Sequence, residues 1–121
     1  MSKINFFALL LIFSFSNTYT KPATAHAVVT KHTLEIAPIQ SGKVSQVTLN
    51  FNSNIELGLS TFHLVRAGDK HEPVKFSEGI KPGQVTVELP ALDSGNYALR
   101  FKVFAADGHL TEDIIRFVVK P

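Results

Sequence analysis

Alternation with a period of two runs through the C-terminal third of this chain and admits one kind of secondary structure. Tyr97, Leu99, Phe101 and Val103 alternate with Ala98, Arg100 and Lys102, and Ile115, Phe117 and Val119 alternate with Arg116, Val118 and Lys120. An extended strand turns such residues to opposite faces, whereas a helix would scatter them around its circumference. Val47, Leu49 and Phe51, separated by Thr48 and Asn50, show the same pattern earlier. Thr61–Arg66, Val74–Phe76 and Val85–Leu89 are shorter strand candidates, punctuated by the turn signals Gly68-Asp69, Gly79 and Pro82-Gly83. No helical crossover separates them, so the expected fold is all-β: an Ig-like or cupredoxin-like Greek-key β-sandwich, or a small antiparallel barrel. Leu92-Asp93-Ser94-Gly95-Asn96-Tyr97 adds the pattern of a tyrosine corner, in which the phenol bonds back to the preceding turn. Alternation with Leu99 and Phe101 places Tyr97 on the core face, which reads as a fold residue rather than a metal or radical site.

The N-terminus has the grammar of an export signal. Lys3 supplies a positive start, Ile4 to Ser16 is apolar, and Asn17 to Ala25 is polar and small, ending in Ala23-Thr24-Ala25. The apolar run is shorter than the roughly 20 residues of a membrane-spanning helix. We therefore expect residues 1–25 to be removed and 26–121 to form one small domain, with no membrane insertion after processing, and a monomer. Cysteine is absent, so the domain must hold together by packing without disulfides, and no lipid anchor can be attached at the cleavage site. Twelve Lys and Arg oppose ten Asp and Glu, and two of the cations, Lys3 and Lys21, leave with the signal. A balanced chain without a basic face is no nucleic-acid binder, and no basic amphipathic helix points to a membrane surface.

Cleavage after Ala25 gives His26 a free α-amine. That amine and the imidazole Nδ1 of the same residue can hold one ion in a six-membered chelate ring, which no internal histidine offers. Near the other end, Asp107-Gly108-His109 supplies a carboxylate and an imidazole two residues apart, just beyond the strand that ends near Ala105. On an extended segment residues i and i+2 share a side, so both can converge on one ion. Met1, the only methionine, is lost with the signal, leaving neither thiolate nor thioether. A donor set of amine, imidazole and carboxylate suits Cu(II), which heads the divalent affinity order ahead of Ni(II) and Zn(II). The expected metal residues are His26, Asp107 and His109; no catalytic residue is expected. His32, His63 and His71 read as surface histidines, with His32, an even number of residues from His26, the one placed to neighbour the ion on a continuous strand.

The chain resembles the CopC copper-binding proteins of the bacterial periplasm, including their YobA-like members. The resemblance rests on Ala25-His26-Ala27, on Leu49-Asn50-Phe51 with Glu56-Leu57-Gly58, on the Leu92 to Tyr97 turn, and on Ala106-Asp107-Gly108-His109 ahead of Phe117-Val118-Val119-Lys120. It implies that His26, Asp107 and His109 bind Cu(II) and, without methionine-rich loops, that the chain is of the Cu(II)-only type. It departs from the family at Thr33-Leu34-Glu35-Ile36, where a proline among small residues is usual, and at Phe101, where a Trp is typical. Asp113 stands where a glycine usually follows the triplet, and Asn52-Ser53-Asn54 replaces an acidic stretch. The function implied is that of a periplasmic copper carrier or buffer, not an enzyme, with an inner-membrane CopD-like copper transporter as partner. Two other classes compete: a histidine-brace copper oxidase or monooxygenase, and a metal-free Ig-like interaction module.

Overall fold

The computed structural model describes residues 27–35 and 38–121. Among the described residues nine strands follow in order: β1 Val29–His32, β2 Ile39–Gln40, β3 Ser45–Phe51, β4 Thr61–Arg66, β5 Lys70–Pro73, β6 Lys75–Glu78, β7 Gln84–Leu89, β8 Gly95–Phe104 and β9 Leu110–Lys120. Two single 3-10 turns, Thr33–Glu35 and Leu57–Leu59, interrupt them. The strands form two sheets, ordered β1-β3-β7-β6 and β2-β9-β8-β4-β5. This is the expected all-β, Greek-key sandwich.

Alternation dictates which side chains meet between the sheets. Val47, Leu49 and Phe51 of β3 and Val85, Val87 and Leu89 of β7 face Phe62 and Leu64 of β4, Leu99, Phe101 and Val103 of β8, and Phe117 and Val119 of β9; all are buried. Each such side chain stabilises the fold by roughly 1.5–3 kcal/mol relative to exposure. Phe101 sits at the centre, edge-on to Phe51 at 5.6 Å and stacked on Phe62 at 5.7 Å between ring centroids. The tyrosine corner is formed: Tyr97 Oη donates to the Asp93 carbonyl at 2.8 Å, and its ring stacks on Phe117.

Two features differ from the expectation. β2 runs parallel to β9, Ile39 opposite Val119, so the larger sheet is mixed rather than antiparallel. Such a short strand carries no period for a sequence to display. The Val74–Phe76 candidate is a strand, β6, shifted by one residue, but an unexpected strand, β5, precedes it, and the chain crosses at Val74 from the larger sheet to the smaller. Pro73 is tolerated because it lies on the edge strand at a position whose N–H would point away from β4, and Val74 N–H closes the ladder on the Phe62 carbonyl at 3.1 Å before the chain changes sheets.

Candidate metal centre

The longest ladder of the molecule aims the Asp-Gly-His triplet. β8 and β9 pair without a break from Gly95 opposite Val119 to Phe104 opposite Leu110, leaving residues 105–109 as the connecting turn. Ala105 N–H donates to the His109 carbonyl and Gly108 N–H to the Ala105 carbonyl, both at 2.9 Å. Gly108 has φ +91°, a conformation that L side chains resist, so glycine is required for the chain to double back here.

The turn brings carboxylate and imidazole together in two ways. Asp107 Oδ1 accepts the His109 backbone N–H at 3.0 Å, and Asp107 Oδ2 lies 3.0 Å from His109 Nδ1. The two residues converge as expected, although the cause is an Asx-type turn and not the even spacing of an extended strand. With a proton on Nδ1 the second contact is a hydrogen bond that orients the ring. Nitrogen and oxygen donors bind such ions at about 2.0–2.2 Å, so neighbours at a right angle stand about 2.9 Å apart. The observed separation therefore lets an ion replace that proton with little movement. Both side chains are partly open to solvent, at 39% for Asp107 and 46% for His109.

The same end of the sandwich receives the start of the described chain. Ala27 is fully buried in the core. Val28 N–H donates to Asn52 Oδ1 at 2.8 Å and the Asn52 N–H returns a bond to the Val28 carbonyl at 3.0 Å. Ala106 N–H donates to the Asn54 carbonyl, Glu56 N–H to the Phe104 carbonyl, and Ile55 bridges Ala105. Residues 27 and 28 and the triplet's turn thus flank one short loop. His26 itself lies outside the described residues, as does the signal segment. Among the described residues no three His, Asp or Glu side chains gather at one point.

The remaining histidines lie elsewhere. His71 Nε2 is 2.7 Å from Asp69 Oδ1 beside the β4–β5 turn, and His63 lies between Pro73 and Arg100 on the outer face of the larger sheet. His32 lines a polar surface cavity with Thr48, Asn50, Lys81 and Gln84. The register of β1 against β3 slips between Val29 and Lys31. Parity counted through that bulge no longer assigns a face, so the even count from His26, which lies outside the described residues, carries no argument about His32. Near the β4–β5 turn, Arg66 Nε donates to Glu72, which raises the guanidinium pKa further above its usual value. The Arg66 guanidinium therefore stays charged at all working pH. The loop 52–55 went unnoticed in the sequence as part of the site; the Asx residues directly after β3 were the available signal.

A two-sheet Greek-key domain with a carboxylate–imidazole pair at the end where its first strand begins is the kind of protein these observations define. The sequence matches the CopC domain over residues 29–120, and the chain belongs to that family. Among solved structures it is similar to CopC from Methylosinus trichosporium OB3b, at 26% identity and a TM-score of 0.65, covering 79% of this chain and 95% of that one. It is also similar in fold to PcoC, a copper resistance protein from Escherichia coli, at 20% identity and a TM-score of 0.61 over 77% of this chain and 99% of that one. A second crystal structure of PcoC, described as methionine-rich, gives 21% identity and a TM-score of 0.59 over 79% and 100%. No curated protein matches the sequence.

Proposed function

We propose that this chain is exported to the periplasm, loses residues 1–25, and there binds one Cu(II) as cargo, serving as a carrier or buffer in copper resistance or homeostasis rather than as an enzyme. The ion is held by the amine and imidazole of His26, the carboxylate of Asp107 and the imidazole of His109, a tetragonal set of three nitrogens and one oxygen. The observation that carries this reading is the 3.0 Å approach of Asp107 Oδ2 to His109 Nδ1 on a turn bonded to the same 52–55 loop as the stem of the N-terminal strand. Membership of the CopC family supports it, as does the description of PcoC as a copper resistance protein. Unlike that methionine-rich relative, this chain has no cysteine and one methionine, Met1, which leaves with residues 1–25, so the processed chain offers Cu(I) no soft donor. Delivery to a CopD-like transporter of the inner membrane is the role that fits an ion held near the surface.

The test compares two preparations. Protein matured by export should bind one Cu(II) with a type-2 EPR spectrum of mixed nitrogen and oxygen ligation, and ascorbate with a Cu(I) chelator should strip the metal. The same chain with one extra residue ahead of His26 should lose that spectrum. Identical stoichiometry and EPR parameters in the extended protein would refute the assignment.

A further inference from the structure

The loop between β3 and β4 is bonded to both sides of the candidate centre. Asn52 grips the N-terminal segment in two directions, its Oδ1 accepting from Val28 N–H at 2.8 Å and its N–H donating to the Val28 carbonyl at 3.0 Å. Two residues on, the Asn54 carbonyl accepts from Ala106 N–H at 2.9 Å, and Ile55 bridges Ala105. Residues 52–55 therefore tie the stem of the N-terminal strand to the base of the triplet's turn.

The side chain of Asn52 has a task here that backbone pairing does not perform. The β1–β3 register slips just after Val29, so the ladder is irregular where the first strand enters the sheet. The Asn52 amide supplies an acceptor for the Val28 N–H beyond the last paired residue, and Ala27, fully buried, anchors the chain one position earlier. Val28 lies two residues from His26.

We propose that Asn52 is a positioning residue of the copper centre: it fixes Val28, the stem of the mature N-terminus, against the same loop that anchors the 105–109 turn, so that stem and turn are ordered against each other before the ion arrives. The inference rests on the copper reading above. A chelate whose halves come from opposite ends of the chain binds tightly only if the ordering cost is met by the fold rather than at the binding step. Removing a partner that orients a metal's ligands weakens affinity about 10–100-fold.

The experiment uses exported protein and Cu(II) competition titrations, with Asn52→Ala, Asn52→Asp and Asn54→Asp beside the wild type. Asn52→Ala should bind Cu(II) about 10–100-fold more weakly, with the wild-type EPR ligand pattern retained, while the Val28 amide loses protection from hydrogen exchange. Asn52→Asp keeps the acceptor and should restore affinity beyond whatever Asn54→Asp gains from an added charge in the same loop. If Asn52→Ala does not fold, Asn52→Ser, whose hydroxyl arm is shorter, carries the same expectation. Affinity of the truncated variant within two-fold of wild type, with Val28 protection lost, overturns the inference and leaves the copper reading intact. A wild type that binds no Cu(II) through its N-terminus sinks that reading instead.

Discussion

His109 and Asp107 each have a structural and a chemical task, and substitutions can separate them. Asp107 Oδ1 caps the His109 N–H while Oδ2 faces the imidazole. Asp107→Asn keeps a carbonyl oxygen for the cap and replaces the charged Oδ2 with an NH2 that cannot ligate a metal, so the turn should survive while Cu(II) binding weakens. His109→Ala removes a nitrogen donor outright and should weaken binding by more than the roughly 10–100-fold typical of an outer partner. The two variants also differ in their response to pH. Amine and imidazole nitrogens, which as free groups titrate near 7.7–8.0 and about 6.5, must shed protons before they bind metal. Affinity therefore falls as pH falls. His109→Ala should flatten that dependence by up to one proton, whereas Asp107→Asn should leave the slope in place. Titrations from about pH 5 to 8 in a fixed buffer check both, and unchanged affinity and proton release in His109→Ala would reduce the triplet to an ordinary turn.

Strands and turns divide the labour of this fold, and the turns at its two ends do different work. Gly68 and Gly83 both have φ +78°, so alanine at either position meets left-handed backbone strain of roughly 1–2 kcal/mol. A Cβ at Gly68 would meet no atom within 4 Å, whereas at Gly83 it would press on the Phe51 and Ser53 carbonyl oxygens at 3.0 Å. Those oxygens belong to the end of β3 and the loop that flanks the candidate centre. Gly68→Ala should lower the urea midpoint and leave copper affinity alone; Gly83→Ala should lower both, the midpoint further. Equal copper affinity in the two variants would show that this loop does not communicate with the metal. The same contrast explains what a sequence can display. β3, β7, β8 and β9 announce themselves because half of each strand is buried, and Asp107 and His109 stand out by spacing and residue type. β1, β2, the sheet change at Pro73–Lys75 and the 52–55 loop depend on backbone bonds between distant segments, which leave no periodic trace. Asn52 looks like a turn residue until Val28 is seen against it.

The whole domain rests on one aromatic-centred core with no disulfide to restrain the unfolded chain. Domains of this size are marginally stable, by about 5–15 kcal/mol, so an ion that prefers the folded state adds a large fraction of the total. On the copper reading proposed above, His26, Asp107 and His109 come from opposite ends of the sequence, so unfolding separates them and leaves only the weaker amine–imidazole clamp of His26. Free Cu(II) at 100 times its dissociation constant for the folded chain should then add up to about 2.7 kcal/mol, less whatever the unfolded chain binds. For a domain of 60–100 residues each kcal/mol moves Tm by about 4–8 °C, so the expected rise is at most roughly 10–20 °C. The rise should shrink as pH is lowered, because protons compete for the same nitrogens only while the chain is free of metal. It should also vanish, at the same copper concentration, in the chain extended ahead of His26. Calorimetry on exported and extended proteins, each with and without Cu(II), measures the difference. A Tm that climbs equally in both would mean that the stabilising ion sits away from the N-terminus, with Asp69 and His71, 2.7 Å apart on the far turn, the pair to examine next.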